Sequence, residues 1–589
     1  MDHAEIRAIR GSLSRAAFAR LLGVTSLTVL RWELPEDNKE ARRPRAKMVE
    51  ALRRLAAEGV GFGAVKAEPA EVEEDEDVVV SEPIAPAPAS APPRRNHAPL
   101  GADEALLAPL LDQLCSDNWQ PAEDSLLALL SSSALSSAAG RKLATLGLVQ
   151  AQVLARMDVR GALAVLVPIL DEAESGELPP SVAARAHVMA AMVFAAPDSR
   201  VADLGRVNAH VAKAERLLAA DADDLRVMAA ICAITGARFL GPDVTLHVYQ
   251  TYQAHLQRGS SALARLLADG VAGLVATIGE DRAGGARYGS RALAAAEAHG
   301  HWGLVMGILS DYAARVLRGS QKPEATLEIV AHGRALARSA QLLPTEGFIR
   351  LLAAECEAFC RLARFDDAQR TAQEALQLAR RGGLARFALT PPLTRLYMFT
   401  NRRAELEELA QSFEAEVQGP LQLAASAHAA YARALLASLA GDFASAAELC
   451  ERACAAPQTT VGAEYVLLCA AFESIASYSL QHQIDKSRAA LRRFRELLEP
   501  RPSVWQETLA RRADAIILMQ LGRFGEARQR IESTHATFVL LGDVVQASLE
   551  HGGLAMVAVA TGAPDAERQT EQALARIDEL GVSVEFLRR

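Results

Sequence analysis

The stretch GDFASAAELCERA, residues 441–453, decides the fold because its spacing recurs twice more along the chain. In each copy a charged residue precedes a phenylalanine, a small residue follows three positions later, and a second small residue lies seven positions further on. Small residues at this spacing let two antiparallel helices approach closely. The copies contain Phe365 with Ala368 and Ala375, Phe443 with Ala446 and Ala453, and Phe524 with Ala527 and Thr534. The pattern predicts a repeated helical hairpin.

Weaker copies of this pattern extend the repeat over most of the chain. Their anchors are Ala162, Ala286, Ala325, Ala368, Leu406, Ala446, Arg488, Ala527 and Ala566. From Ala286 onward the anchors are 38 to 43 residues apart, and the 124 residues between Ala162 and Ala286 fit three more steps. A fixed period of this length indicates a stacked array. We expect 11 or 12 helix pairs over residues 103–589, with residues 566–589 as a cap.

These copies resemble tetratricopeptide repeats (TPR). Their step is longer than the roughly 34 residues of the ordinary repeat. It is similar to the elongated repeats in the sensor regions of large bacterial activators such as the maltose-regulon activator family. The resemblance implies an all-α solenoid of TPR-like helical hairpins that forms an open superhelix, in which each repeat contacts only its neighbours. The concave surfaces of such arrays bind peptides, protein segments or small ligands.

A second informative stretch, SRAAFARLLGVTSLTVLRWE, occupies residues 14–33. Ala19 is small where two helices must cross, and Gly23 lies where a first helix ends and a positive φ is needed. The Thr25 hydroxyl can cap a second helix, and Trp32 is spaced to face inward with the apolar residues of the first. These features predict two short helices joined by a tight turn.

This stretch resembles the Xre or phage-repressor type of helix-turn-helix. The matching residues are Ser14, Ala19, Leu22, Gly23, Val24, Thr28, Val29, Trp32 and Glu33, with Thr25 in place of a serine. Arg15 departs from the family, which often has glutamine there, and an added charge should increase the salt sensitivity of binding. The resemblance implies a small DNA-binding domain of four to five helices at residues 1–60.

The resemblance also implies which residues contact double-stranded DNA. The second helix of the motif enters the major groove, where its first turn faces the bases. Arg31 can form two hydrogen bonds with a guanine or instead bind a phosphate. The basic residues that follow the motif are assigned to phosphates. The predicted DNA-binding residues are Arg15, Thr25, Ser26, Leu27, Thr28, Leu30, Arg31, Arg42, Arg43, Arg45 and Lys47. The alternative is that the basic side chains are only solvated surface.

Charge is unevenly distributed along the chain. Residues 1–64 hold 12 Lys and Arg against 8 Asp and Glu, whereas residues 65–100 hold 3 against 8. With a whole-chain net charge of −9, the remainder carries −8. Only the first segment therefore has the sign that a phosphate backbone attracts, which places DNA binding at the N-terminal end.

Residues 61–102 have the composition of a linker. They are rich in proline and alanine and carry an acidic cluster at residues 71–77. Repeated prolines favour an extended polyproline II conformation, and the acidic cluster repels itself, so this segment cannot form a core. We predict a mostly disordered linker. The acidic cluster could also compete weakly with DNA for the basic domain, and the alternative is a plain solubilising tether.

Few residues suggest catalysis or cofactor binding. The chain has no G-x-x-x-x-G-K-[ST] sequence, so it lacks the phosphate-binding loop that the maltose-activator class carries. Gly284–Gly285 and Gly382–Gly383 are interpreted as helix C-caps. His299 and His301 are interpreted as a helix end and loop, because two histidines alone are too few ligands for a metal site. We predict no enzyme activity, no cofactor and no metal.

The seven cysteines are odd in number and lie in apolar helical sequence. With no signal peptide and no run of eighteen apolar residues, we expect a reducing cytoplasm. Cys356 with Cys360, and Cys450 with Cys454, lie on one helical face each, which leaves redox sensing or soft-metal binding open. The simpler interpretation is that cysteine replaces alanine in tight helix packing.

Together these features predict a bacterial DNA-binding transcription regulator whose solenoid senses a ligand or binds a peptide or protein. The architecture resembles the peptide-responsive quorum regulators, although their arrays are shorter and lack such a linker. Since such readers bind paired half-sites, we expect a homodimer without membrane contact. The alternative is a protein-interaction scaffold in which the helix-turn-helix only localises a recruited partner on DNA.

Overall fold

The computed structural model divides into two compact units, Met1–Pro92 and Pro93–Arg589. In the first unit it describes only Ile6, Trp32, Pro44 and Val49. In the second unit it describes residues 101–583 with these gaps: 117–118, 157, 196–202, 220, 238–241, 279–281, 319–321, 340–344, 383, 385, 418–421, 458–462 and 499–502.

The described part of the second unit is built from α-helices, and no strand occurs among its residues. The 24 helices are α1 (Gly101–Gln113), α2 (Gln120–Ser131), α3 (Ala138–Ala151), α4 (Val159–Glu174), α5 (Pro180–Ala195), α6 (Leu204–Leu217), α7 (Asp223–Ala237), α8 (Pro242–Leu256), α9 (Ala262–Ile278), α10 (Arg282–Ala298), α11 (Trp302–Arg318), α12 (Pro323–Ser339), α13 (Glu346–Arg361), α14 (Phe365–Gly382), α15 (Thr390–Phe399), α16 (Arg403–Glu414), α17 (Gln422–Ala440), α18 (Phe443–Cys454), α19 (Glu464–Leu480), α20 (Ile484–Leu498), α21 (Val504–Gln520), α22 (Phe524–Leu540), α23 (Val544–Ala560) and α24 (Ala566–Glu579). A π-helical segment, Gln152–Arg156, follows α3, and a 3-10 turn, Phe387–Leu389, precedes α15. The predicted all-α class is confirmed for this part of the chain.

The helices form a stacked array. Each helix packs against the next along the chain, and the odd-numbered helices α13, α15, α17, α19 and α21 also pack on one another in order. In this stretch the odd-numbered helices therefore form one layer of the array, and the even-numbered helices lie beside them. None of the described helices combines the length and the apolar character needed to cross a membrane.

The period of the array appears in the backbone as well as in the sequence. Between paired helices the chain repeatedly places one residue at positive φ, and these residues are 38 to 41 positions apart. They are Ala363, Asn401, Gly441, His482, Gly522 and Gly562. Beyond Gly441, the Asp442 amide donates to the Ala437 carbonyl at 2.9 Å, which closes the helix end in the manner of a Schellman motif. A left-handed residue thus reverses the chain within a very short connection.

The predicted anchors fall in even-numbered helices, one in each helix pair. Helices α6 and α8 lie between the first two anchors and account for the three steps predicted there. At two of these positions the buried residue is the neighbour of the anchor. Ser487 and Thr326 are the buried residues at those positions, whereas Arg488 and Ala325 are more exposed.

The expectation of an open superhelix, with contacts only between neighbouring repeats, is wrong. The Trp119 indole donates to the His299 carbonyl at 2.9 Å, across 180 residues of sequence. The Arg160 guanidinium donates to the Gly382 carbonyl at 2.7 Å, across 222 residues. Polar groups of distant repeats thus form hydrogen bonds with each other, so successive turns of the superhelix are in contact.

The C-terminal end of the array also packs on an earlier turn. Helix α24 packs on α23, and Ile577 and Val582 form an apolar cluster with Phe399 and Val545. The Ser583 amide donates to the Phe399 carbonyl at 2.6 Å. The segment predicted as a cap therefore forms the second helix of the last pair and also closes against α15.

Two glycines near the start of α22 test the role of the left-handed residues. Gly522 has a φ of +72° and Gly525 is helical, and a Cβ added at either position would meet no atom within 4 Å. We expect Gly522→Ala to lower the free energy of unfolding by about 1 kcal/mol, because alanine is strained at positive φ. The matched Gly525→Ala should raise it by about 0.5 kcal/mol. Denaturant unfolding of the full chain measures both, and two shifts of the same sign would contradict the assignment.

Candidate functional site

A buried polar cluster joins two turns of the array. Trp505, on α21, donates its indole N–H to Asp543 Oδ2 at 3.0 Å. The guanidinium carbon of Arg361, the last residue of α13, lies 4.5 Å from the centre of the Trp505 ring, and its Nε is 3.8 Å from Asp543 Oδ2. All three residues are at most 2% exposed. A cation–π contact and an ion pair thus connect helices that are far apart in sequence.

A second arginine completes this cluster. Glu357, one helical turn before Arg361, accepts from its Nε at 3.1 Å and also pairs with Arg395 of α15. The Arg395 guanidinium lies 5.2 Å from the centre of the Trp505 ring. Burial lowers the pKa of Arg361, and the neighbouring Asp543 carboxylate opposes that shift. Two arginines and two carboxylates therefore surround one indole, with each charge facing an opposite one.

Asp543 has a second role at the start of α23. Its Oδ1 accepts the backbone N–H of Gln546 at 3.1 Å, so it is the N-cap of that helix. A carboxylate at this position satisfies an otherwise unpaired amide and complements the helix dipole. The orientation of α23 is thus linked to the contact between the turns.

Beside this cluster lies a half-open cavity of about 780 Å³. Residues of α15, α17, α19, α21 and α23 line it, together with residues of α20, α22 and α24. Trp505 and Arg395 belong both to the polar cluster and to the wall of this cavity. The volume falls in the range of small-molecule pockets.

The wall of the cavity is largely apolar. Its apolar residues include Met398, Phe399, Leu468, Phe472, Phe494, Leu509, Ile516, Met519, Ile531, Leu549, Met556, Val559, Leu574 and Ile577. Met556 and Val559, on α23, are 54% and 60% exposed, so they mark the side on which the cavity meets solvent. Exposed apolar side chains at the rim of an apolar cavity are typical of a ligand-binding site.

The ionisable groups of the wall already have partners. Arg512 lies 3.2 Å from Glu550, measured from Nε to Oε1, and Arg395 pairs with Glu357 behind the wall. Glu473 accepts from the Ser438 hydroxyl at 2.6 Å. Burial raises the pKa of both Glu550 and Glu473, and Arg512 opposes the shift of Glu550. The cavity therefore presents apolar surface, arginines paired with carboxylates, and the carboxyl group of Glu473, whose charged form is disfavoured by burial.

The residues predicted to contact DNA, from Arg15 to Lys47, lie outside the described residues. Within the same unit, Ile6 and Trp32 are helical and buried, and the buried position of Trp32 agrees with the inward orientation predicted for it. The assignment of these residues to DNA contacts therefore stays a prediction.

Two minor predictions concern histidines and glycines. His301 lies in the loop between α10 and α11, where it is buried and stacks on Trp119 with ring centres 5.8 Å apart, in agreement with the loop interpretation. Gly382 is the last residue of α14. Gly284 and Gly285 lie in the first turn of α10, so the interpretation of this pair as a C-cap is wrong.

The cysteines are free thiols, and most of them are buried. Burial raises the pKa of Cys232 to about 12 and that of Cys454 and Cys469 to about 11. A high pKa leaves little of the reactive thiolate, which favours the packing interpretation over redox sensing. No group of three or more histidine, cysteine or carboxylate side chains suited to a metal occurs within the described residues.

The sequence matches no protein-family model, and no curated protein aligns with it.

The polar cluster and the cavity were missed in the sequence analysis. One signal for them was available in α13, where Glu357 and Arg361 lie one turn apart within the apolar run FIRLLAAECEAFCR. Charged residues on the buried face of a helix require partners. Those partners, Arg395, Trp505 and Asp543, lie on other helix pairs, and no local pattern in the sequence indicates the distance at which turns meet.

Replacing Arg361 tests whether this cluster stabilises the array. Arg361→Met leaves the buried Asp543 without its cation, and we expect it to lower the free energy of unfolding by about 3–5 kcal/mol. The matched control is Arg568→Met, which removes the exposed ion pair with Asp565 and should cost about 0.5 kcal/mol or less. Adding Asp543→Asn to Arg361→Met should recover part of the loss, because it removes the unpaired buried charge while the asparagine oxygen can still cap α23. Equal effects of the two arginine variants in denaturant unfolding would contradict this role.

Proposed function

We propose that this protein is a DNA-binding transcription regulator in which an N-terminal helix-turn-helix contacts the operator and the cavity in α15–α24 holds the effector. The observation that carries the sensing half of this proposal is the apolar cavity of about 780 Å³, whose wall shares Trp505 and Arg395 with the contact between turns. The DNA-binding half is supported by the sequence of residues 14–33 and by the basic segment that follows it.

The shared residues suggest how an effector changes the array. Trp505 faces the cavity and also holds Asp543 and Arg361, so a ligand that contacts its ring favours one arrangement of the two turns. A ligand shifts a conformational equilibrium only by its differential affinity for the two states. We propose that the ligand-bound state is the one in which the turns are joined, because only that state encloses the cavity.

The signal reaches DNA through a dimer in this proposal. Readers of this type occupy paired half-sites, and a domain of about 60 residues offers little surface for self-association once its helices are packed. We therefore propose that the array forms the homodimer. The linker predicted at residues 61–102 sets the effective concentration and spacing of the two readers and transmits no torque.

Arg31 tests the DNA-binding assignment. If Arg31 forks onto a base, Arg31→Ala should weaken binding to the selected operator by about 1–3 kcal/mol and relax the preference at one base pair. The operator is first selected from random duplexes with the full chain, and affinities are then measured by fluorescence anisotropy. Equal weakening on every duplex would instead assign Arg31 to a phosphate.

The basic segment after the motif is the matched comparison for Arg31, because its residues are assigned to phosphates. Replacing Arg42, Arg43 and Arg45 together should weaken binding to all duplexes alike and flatten the plot of log affinity against log salt by roughly 0.9 for each lost phosphate contact. If the full chain selects no DNA sequence, and its weak binding is unchanged in both variants, the proposed regulator function is wrong and the scaffold alternative is favoured.

A further inference from the structure

We infer that the cavity in α15–α24 binds a neutral, mainly apolar small molecule. This inference rests on the proposed function only in treating that molecule as the effector, since its binding is measured without DNA. The physical basis is the combination of an apolar wall, an opening edged by apolar side chains, and charges that are paired within the protein.

The paired charges exclude an ionised ligand. Arg512 faces Glu550, and Arg395 faces Glu357, so neither guanidinium offers an uncompensated charge to an anion. A carboxylate or phosphate moved into this cavity would lose its hydration and gain no counter-ion, a cost of several kcal/mol. A cation meets the same difficulty at Glu357 and Glu550, because the carboxylates of these pairs are occupied as well. Burial raises the pKa of Glu473, which disfavours the charged form of this third carboxyl group.

Uncharged polar groups remain to orient a ligand. The side chains of Tyr431, Tyr465 and Thr570 line the cavity, and burial raises the pKa of Tyr431 well above its usual range, so its hydroxyl stays protonated. Hydroxyl groups can donate to or accept from a carbonyl, ether or alcohol without a charge. The ligand therefore has an apolar body and a few neutral hydrogen-bonding atoms.

The opening fits the same ligand. Met556 and Val559 expose apolar side chains beside the cavity, and Met519 lines it from α21. Methionine side chains are flexible and adapt to different apolar shapes. An apolar molecule that reaches this rim can thus move into the interior along apolar surface.

Two pairs of probes separate a neutral from an anionic ligand. Phenylnaphthylamine and anilinonaphthalene sulfonate share a ring system, and only the second carries a sulfonate. Dodecanol and dodecanoate differ in the same way. With the full chain, we expect saturable enhancement of phenylnaphthylamine fluorescence with one site per chain, and displacement by dodecanol at concentrations about tenfold or more below those needed for dodecanoate. The dye is excited directly, so that added tryptophans do not interfere.

Filling the cavity locates the site. Ile516→Trp from α21 and Met556→Trp from α23 place an indole in the cavity and should each weaken the binding of phenylnaphthylamine about tenfold. The matched control is Leu480→Trp, at the exposed end of α19 and away from the cavity, which should bind as the original chain does. Thermal melting checks the fold of each variant, and Met556, being half exposed, remains informative if Ile516→Trp unfolds.

A change of charge tests the argument from pairing. In mildly alkaline buffer Glu550→Gln leaves Arg512 without its counter-ion, and we expect dodecanoate to bind about tenfold more tightly while dodecanol is unaffected. The control, Glu526→Gln, removes the partner of Arg523 at an exposed ion pair outside the cavity and should change neither.

Several outcomes would overturn the inference. Anionic probes that bind as tightly as neutral ones, or dye binding that both cavity variants leave unchanged, would show that the cavity is not a site for neutral apolar ligands. If the neutral probes bind as expected but the full chain selects no DNA sequence, the ligand inference stands and the proposed function fails. If the full chain selects a DNA sequence but the neutral probes do not bind, the DNA-binding proposal stands and this ligand class is excluded.

Discussion

The contact of Trp505 with Asp543 and Arg361 is the interaction on which the C-terminal half of the array depends. Each ion in it is costly to bury, by several kcal/mol when unpaired, so the cluster is stable only while all its members are in place. Its members belong to α13, α21 and the cap of α23, so a loss at one affects three helix pairs. A solenoid whose repeats meet only their neighbours has no such element.

This constraint explains why a cavity is present at all. In an open array the layer of odd-numbered helices faces solvent as a concave surface, whereas here α24 packs back on α15 and the wall closes around about 780 Å³. Trp505 takes part in the contact between the turns and also lines the cavity. In the proposed function, occupancy of the cavity and closure of the turns would therefore be coupled.

Much of this fold could be predicted from sequence, because each helix pair is determined by residues close together in the chain. The small residues Ala368, Ala446 and Ala527 and the phenylalanines before them determine the helix pairs, because their effect is confined to one hairpin. The superhelical closure could not be predicted, since it depends on small angles that accumulate over four or five pairs. Arg361 illustrates the limit: its burial requires a partner, but the sequence does not identify Asp543, 182 positions away, as that partner.

The most direct test of this account is hydrogen–deuterium exchange of the full chain, compared with that of its Arg361→Met variant. If the polar cluster joins the turns, amides of α13 (Glu346–Arg361) and α23 (Val544–Ala560) lose protection together, although they are far apart in sequence, because opening then exposes both. Helices near the start of the array, such as α5 (Pro180–Ala195), keep their protection. An increase in exchange confined to α13, with α23 unchanged, would contradict the account.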